Sequence, residues 1–251
     1  MHSREIRLLL ENVKAEILYH IYQKYEVNTL LVSFGAKRRV LSTWEGFKIV
    51  RFVANSYHPN GLSEVTMHNY DEFEDKFPLN LGIPRADLAL LSTGANMDNL
   101  AVCEKSYRDL IVCCLATGGV GNALRSGVDV TNWVEQDGTY VNTLGTINII
   151  LLTNTTLTDG AMARAIITGT EAKTAALQDM DARSSVSPDY QATGTGTDNM
   201  IIVSGADPDK KIRFTGGHSK IGELIGVSTK IAVAETIRKH ETALATKGSE
   251  K

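Results

Sequence analysis

Apolar positions recur along this chain with a helical period in three segments, and each segment predicts a helix. Between residues 6 and 25, apolar side chains every three or four positions predict an amphipathic N-terminal helix. The same spacing predicts a helix over 160–180, with Thr158 or Asp159 as its N-terminal cap. A last helix is predicted over 219–242.

Short runs rich in β-branched residues predict strands between these helices. The predicted strands cover 30–34, 39–43, 47–54, 87–91, 107–116, 147–152, 200–203 and 212–214. The first two strands flank Gly35, Ala36 and Lys37, which is typical of a hairpin turn. The segment 65–84 has no clear period and is predicted to be irregular or a short helix, and 129–144 is predicted to be a connecting loop.

These elements predict an α+β fold in which a mixed β-sheet is layered with helices. Residues 1–25 form its predicted N-terminal helix, 26–243 the body and 244–251 a flexible tail. The order of strands and helices is too irregular for a doubly wound sheet, and no linker or internal repeat divides the chain. We therefore predict a single domain over residues 1–251.

Composition narrows the classes of protein that fit. The chain has 251 residues with 43% hydrophobic and 22% charged residues, which is ordinary for a soluble globular protein. A net charge of −3 without a basic run argues against nucleic-acid binding. No apolar stretch reaches the ~18 residues of a membrane span, so no membrane partner is predicted. Three cysteines, an odd number, indicate reduced core thiols and a cytoplasmic protein.

Two loops rich in glycine and hydroxyl groups flank the predicted strands 200–203 and 212–214. The loop 193–198 holds Asp198, and the second loop holds His218 directly before a helix. The positive end of a helix disfavours imidazolium, and a neutral imidazole can act as a base. Glycine N–H groups in the first loop could bind an oxyanion. The alternatives are a simple wide turn and a histidine that only bonds the helix start.

Similar polar loops follow other predicted strands. The predicted substrate-binding residues are Thr93, Asn96, Thr117, Gly118, Gly119, Gly194, Gly196, Glu171 and Lys173. The last two lie on a helix, where such charges are usually solvated. Gly119-Val120-Gly121 resembles part of a dinucleotide fingerprint, but Leu124 replaces its third glycine. Because the histidines are scattered, no protein-bound metal is predicted.

Six blocks of this sequence, in order, resemble the adenosylcobinamide amidohydrolase family. They are residues 116–125, 145–150, 159–164, 170–177, 192–198 and 215–218. The resemblance implies hydrolysis of the amide that joins a corrin propionyl side chain to aminopropanol. The implied products are adenosylcobyric acid and 1-amino-2-propanol, a step of corrinoid salvage for coenzyme B12. The implied partner is adenosylcobinamide, whose cobalt belongs to the substrate, so no cofactor is predicted.

The residues offer two schemes for such a hydrolysis. In the first, His218 is oriented by Asp198 and activates a water, while glycine N–H groups of the loops and Asn122 hold the oxyanion. In the second, a threonine hydroxyl attacks and forms an acyl-enzyme. The candidate nucleophiles are Thr117, Thr195 and Thr197.

Two other classes of protein remain open from the sequence. One is a non-catalytic corrinoid- or nucleotide-binding protein with the same loops. The other is a self-processing hydrolase with an internal threonine nucleophile, which would yield two fragments. Assembly into a homo-oligomer is also left open.

Overall fold

The computed structural model describes residues 2–130 and 145–249 as an α+β protein. Its strands are β1 (His2–Ile6), β2 (Val13–Tyr22), β3 (Tyr25–Ser42), β4 (Gly46–Tyr57), β5 (Leu88–Thr93), β6 (Ala101–Tyr107), β7 (Leu110–Gly118), β8 (Ile147–Thr153), β9 (Thr155–Leu157), β10 (Asn199–Val203) and β11 (Asp207–Ile212). Its helices are α1 (Asn60–His68), α2 (Tyr70–Asn80), α3 (Asp159–Asp179) and α4 (Lys220–Ser249). The predicted mixed sheet with helices is confirmed, and the predicted loop 129–144 falls almost entirely outside the described residues.

Nine strands form one mixed sheet that curls over itself. The order is β1-β2-β3-β10-β8-β7-β6, and β4 pairs with the other edge of β3 and with β5. One apolar cluster joins the two halves of the sheet, since it contains Val53 and Leu91 from one half and Leu115 and Ile150 from the other. The halves therefore pack face to face.

The helices cover the two outer faces of this folded sheet. Helices α3 and α4 bury apolar residues against β6, β7, β8 and β10. On the opposite side, α2 contributes Phe73 and Phe77 to a cluster with residues of β2 to β5. Both sheet halves are thus covered on both faces, which explains why β8 is buried along its whole length.

The unit β8–α3–β10 follows directly from the sequence. The apolar run 147–152 forms β8, and Thr158 caps α3 by accepting a hydrogen bond from the N–H of Ala161 at 3.2 Å. Strands β8 and β10 are parallel neighbours. Helix α3 returns antiparallel to them, as a crossover between parallel strands requires. Its C-terminal half therefore lies over the N-terminal ends of β8 and β10.

The predicted N-terminal helix is wrong, because residues 2–6 and 13–22 are strands. Strand β2 lies between β1 and β3, with Ile17 in one apolar cluster and Leu18 in another. A strand that is buried on both faces loses its alternation of apolar and polar residues. The remaining apolar positions then match a helical period, although Ile21, which that period placed inside, is exposed.

Four smaller predictions also need correction. The hairpin at residues 35–37 is a bulge within the long strand β3, where the register with β4 shifts between Ser33 and Arg38. The segment 65–84, predicted to be irregular or a short helix, contains the last four residues of α1 and all of α2. The last sheet strand lies at 207–212 rather than 212–214. The predicted tail is helical as far as Ser249.

Across residues 2–130 and 145–249, every helix is too short or too polar to span a membrane. The three cysteines are buried free thiols, as predicted. Burial raises the pKa of the Cys114 thiol to about 12.

His58 is a buried imidazole that makes the fold sensitive to acid. It is 4% exposed and stacks edge-on against Phe73, with ring centroids 4.6 Å apart. Its Nε2 has no hydrogen-bond partner among the described residues. Burial lowers the pKa of His58 to about 3. Below about pH 6.5 the unfolded chain therefore binds a proton on His58 that the folded chain does not bind. The free energy of unfolding falls as the pH drops from about 6.5 towards 3.

From pH 7 to pH 5, His58 alone is expected to lower the free energy of unfolding by about 2 kcal/mol. Urea unfolding of wild type and His58→Phe at both pH values measures this difference, since phenylalanine keeps the ring packing. His218→Gln is the control, because His218 is exposed. Equal pH slopes for wild type and His58→Phe would contradict the assignment.

Candidate functional site

Polar side chains gather at one end of the folded sheet, where the C-terminal end of β7 meets the N-terminal ends of β8 and β10. Asn148 pairs with Thr117 of β7 on one side and with Asn199 of β10 on the other. The 193–198 loop leads into β10 at this point. The strand order therefore brings together loops that are far apart in sequence.

Asp198 is the most highly connected residue of this end. Its carboxylate forms a close ion pair with Lys173 of α3. It also accepts hydrogen bonds from the N–H of Ile147 at 3.0 Å, the N–H of Thr195 at 3.2 Å and the Thr195 hydroxyl at 2.5 Å. Lys173 is 7% exposed, so this is a largely buried charge pair rather than a solvated helix residue.

The glycines of the 193–198 loop are needed for this packing. A Cβ on Gly194 would lie 2.7 Å from the Lys173 ammonium and would overlap the Asp198 carboxylate. Gly196 has a φ of +80°, which favours glycine. The loop thus packs closely around the ion pair. The candidates Gly194 and Lys173 meet Asp198, and Gly196 packs against Leu124.

Next to this pair, two side chains donate hydrogen bonds to a single peptide carbonyl. The Gly145 oxygen accepts from the Asn122 amide at 2.8 Å and from the Thr197 hydroxyl at 2.9 Å. The Thr195 hydroxyl lies 3.4 Å from that of Thr197 and links it to Asp198. The structure therefore brings four of the candidate residues, Asn122, Thr195, Thr197 and Asp198, into one group. Two donors on one oxygen are the arrangement that stabilises an oxyanion.

The residue after this carbonyl is Thr146, which the sequence analysis did not select. Its side chain donates a hydrogen bond to the Thr197 carbonyl at 2.6 Å, and the residue is 6% exposed. It directly precedes β8. Thr146 therefore lies between the Gly145 carbonyl, which Asn122 and Thr197 bond, and the Ile147 N–H, which Asp198 bonds.

A buried amide network forms the inner wall on the side between the sheet halves. The Asn55 amide donates to the Thr117 hydroxyl at 2.8 Å, and the Asn148 amide donates to the Asn55 oxygen at 2.9 Å. Asn148 also donates to the Ser92 carbonyl at 2.8 Å. All three side chains are at most 2% exposed. Thr117 is thus fixed as an acceptor within the wall and is not an accessible nucleophile.

Thr93 and Asn96 lie in the half of the sheet across from Asp198. The Thr93 hydroxyl accepts from the N–H of Ala95 at 3.0 Å and shapes its own loop. The Asn96 oxygen accepts from the Asn28 amide at 2.9 Å. Asn96 lines a cavity of about 780 Å³. The cavity is also lined by His2, Tyr19, His20, Tyr25, Asn28, Tyr57 and Asp98.

The backbone N–H groups of Gly118 and Gly119 are used within the fold. Gly118 donates to the Thr236 hydroxyl at 3.2 Å, and Gly119 donates to the Thr146 carbonyl at 3.2 Å. The proposed use of the Gly118 N–H for an oxyanion therefore needs correction. A Cβ on Gly119 would lie 2.7 Å from the His240 ring, a residue at this end that the sequence analysis missed.

His218 does not reach Asp198. It precedes α4, whose first residue Lys220 contacts Tyr107 at the opposite end of β7. Thr236, which bonds Gly118, lies about 24 Å further along this helix at 1.5 Å per residue. His218 is exposed, as is Glu171 on the outer face of α3. The predicted Asp198–His218 pair is therefore wrong, and Lys173 takes the position next to Asp198.

For some of the residues at this site that were not predicted, the sequence does contain an indication. Gly145 and Thr146 open one of the six blocks that carry the family resemblance, but a glycine before a buried strand is common and carries no chemistry by itself. Asn55 and Asn148 are polar residues within strands, a pattern that predicts a buried network. Among the residues that the structure describes, no three side chains of His, Cys, Asp or Glu are grouped to hold a metal ion.

The chain is similar in sequence to known proteins. The model of the protein family described as adenosylcobinamide amidohydrolase matches residues 14–245 of this chain. An uncharacterized protein of Methanocaldococcus jannaschii is 45% identical over 227 residues, covering 86% of this chain and 88% of that protein. The adenosylcobinamide amidohydrolase of Methanosarcina mazei is 32% identical over 152 residues, covering 57% of this chain and 62% of that protein. A crystal structure of a Pyrococcus horikoshii protein overlaps with a TM-score of 0.46 at 13% identity, covering 92% of this chain and 84% of that one.

Proposed function

This chain belongs to the adenosylcobinamide amidohydrolase family, and from that membership we propose that it hydrolyses adenosylcobinamide. The bond broken is the amide between a propionyl side chain of the corrin ring and aminopropanol. The products are adenosylcobyric acid and 1-amino-2-propanol. The reaction would return scavenged corrinoid to coenzyme B12 synthesis in the cytoplasm. The cobalt is part of the substrate, and the proposed chemistry uses groups of the chain itself and water.

The observation that supports this proposal best is the pair of donors on the Gly145 oxygen. The Asn122 amide and the Thr197 hydroxyl lie 2.8 and 2.9 Å from it. An amide carbonyl under attack gains negative charge on its oxygen, and two fixed donors at this distance stabilise that charge. The Gly145 carbonyl thus marks the position where the carbonyl of a substrate amide would lie.

In the same reaction, the Asp198–Lys173 ion pair is proposed to stabilise the proton that is transferred. Asp198 contacts the N–H of Ile147, one residue beyond Thr146, and the hydroxyl of Thr195. A carboxylate at this place stabilises the proton that the nucleophile releases. Lys173 balances this carboxylate and holds it in place, because both charges are largely buried. With His218 far away, a threonine hydroxyl is the nucleophile that fits the geometry.

A direct assay tests the proposal. Purified protein is incubated with adenosylcobinamide, and mass spectrometry follows both products. Adenosylcobyric acid and aminopropanol are expected in equal amounts. A corrinoid absorption spectrum that shifts on mixing, without either product, would contradict the proposal and favour a non-catalytic binding protein.

The cavity at Asn96 is proposed to receive part of the corrinoid. Tyr57 lines this cavity and lies two residues beyond Asn55 on the same face of β4, which connects the cavity to the amide wall. Its ring is half-buried, so an apolar group in the cavity would contact it.

Tyr57→Ala is expected to raise KM about tenfold, a loss of roughly 1.4 kcal/mol of aromatic contact, with kcat changed little. Steady-state kinetics with adenosylcobinamide measure both constants. Tyr190→Ala is the matched control, since Tyr190 is an exposed tyrosine outside the residues that line the cavity. An unchanged KM for Tyr57→Ala would remove this cavity from the substrate site.

A further inference from the structure

The groups around the peptide bond between Gly145 and Thr146 are those expected around a bond that an enzyme cleaves. Its carbonyl oxygen is held by the two oxyanion donors, and the next residue carries a hydroxyl. We propose that the chain cleaves this bond itself, and that the freed amine and hydroxyl of Thr146 then hydrolyse the substrate amide. The second half of this inference rests on the proposed function.

Gly145 is built for close approach of the donors. Its φ is +116°, a conformation that residues with a side chain rarely adopt. A Cβ at this position would overlap the Asn122 amide oxygen. A glycine is therefore required if Asn122 is to bond the carbonyl. A carbonyl that is to be attacked needs such a donor to polarise it. An ordinary turn into a strand needs no side-chain donor at that oxygen.

Thr146 is held on the other side of the same bond. Its hydroxyl lies 2.6 Å from the Thr197 carbonyl, which belongs to the residue whose own hydroxyl bonds Gly145. The amide N–H that follows, that of Ile147, is fixed by Asp198 at 3.0 Å. Donors, hydroxyl and carboxylate therefore surround one peptide bond from separate loops. Asn122, Thr146 and Asp198 are buried or half-buried, and Thr197 is exposed.

The cleavage balances as an acyl shift followed by hydrolysis. The Thr146 oxygen attacks the Gly145 carbonyl carbon, and the hydroxyl proton passes to the Thr146 nitrogen as the C–N bond breaks. The product is an ester between Gly145 and the Thr146 oxygen, with a free amine on Thr146. Water then cleaves the ester, giving a Gly145 carboxylate, the Thr146 hydroxyl and a released proton. The net reactant is one water molecule.

Cleavage would also open the oxyanion position for a substrate. In the intact chain, Asn122 and Thr197 hold the chain's own carbonyl, so the carbonyl of a substrate cannot occupy the same place. After cleavage, the new amine is that of Thr146, one residue before the N–H that Asp198 binds, and it can take the hydroxyl proton of Thr146. An α-amine has an ordinary pKa of about 7.7–8.0, which suits a base near neutral pH.

Intact-mass measurement tests the cleavage, using full-length protein incubated until its mass is constant. Two fragments are expected, 1–145 and 146–251, whose masses add to the chain plus one water. N-terminal sequencing of the second fragment should begin Thr-Ile-Asn. Thr146→Ala should stay intact and lose hydrolysis, while Thr146→Ser should still be cleaved. Thr153→Val, which removes a hydroxyl at the other end of β8, is the control and should be cleaved.

The outcomes separate this inference from the proposed function. An intact wild-type chain that hydrolyses adenosylcobinamide would overturn the cleavage and leave the proposed function standing. Cleavage at 145–146 without hydrolysis of adenosylcobinamide would support self-processing and overturn the proposed substrate. A Thr146→Ala chain that is still cleaved at this bond would overturn Thr146 as the nucleophile.

Discussion

Replacing Asp198 with Asn is expected to lower kcat for amide hydrolysis by roughly 10²–10⁴-fold. Asparagine keeps the shape of the side chain but has no negative charge to stabilise the proton that the nucleophile releases. It also leaves the Lys173 ammonium without its carboxylate in a place that is 7% exposed. Such an uncompensated buried charge costs about 3–5 kcal/mol of folding free energy. Product formation from adenosylcobinamide and urea unfolding measure the two effects.

The two effects can be separated with a double-mutant cycle. Lys173→Met is expected to destabilise the fold by a similar amount, because it leaves the Asp198 carboxylate unpaired. The combination Asp198→Asn with Lys173→Met removes both charges and should recover much of the lost stability. Hydrolysis should stay as low as in Asp198→Asn. Recovery of activity in the stable double variant would show that the ion pair is structural only.

Replacing Asn122 with Ala is expected to lower kcat by about 10²–10³-fold, with little change in KM. The amide is proposed to bond the substrate oxygen most strongly when that oxygen becomes negative, so the loss falls on the transition state. The matched control is Asn154→Ala. Asn154 binds the Asp109 carbonyl and the Ile111 N–H at the opposite end of β8. Steady-state rates per mole of folded protein give the comparison.

A second outcome for Asn122 would change the mechanism. If Asn122→Ala raised KM with kcat intact, the side chain would bind ground state and transition state equally. The donor pair on Gly145 would then have no oxyanion role. Equal losses in the Asn122 and Asn154 variants would attribute the effect to folding.

The sequence predicts the part of the fold in which local pattern and burial agree. Helix α3 has a single apolar face and a threonine cap, and β8 is a short β-branched run, so both were found. The strands β1 and β2 were missed because β2 is covered on both faces and its register against β3 is set by pairing, which a local period does not contain. The bulge in β3 resembles a turn for the same reason.

Four residues that the structure brings together at the candidate site were selected from sequence, but their partners were not. Asp198, Asn122, Thr195 and Thr197 follow from the unusual glycine and threonine content of their loops. Lys173 is the partner of Asp198 only because α3 crosses back over the starts of β8 and β10. That relation depends on the topology, and a lysine on a helix is by default solvated. The prediction for His218 was wrong because His218 precedes the end of the long helix α4 that lies far from Asp198.

The strand order has a consequence for how the molecule could be divided. Strands β8 and β10 come from the second part of the chain, yet they lie between β3 and β7 from the first part. Helix α4 packs on β6 and β7 in the same way. Two polypeptides that meet at residues 145 and 146 would therefore interlock through a shared sheet. We expect them, when produced from separate genes, to complement each other and to elute together until a denaturant unfolds the sheet.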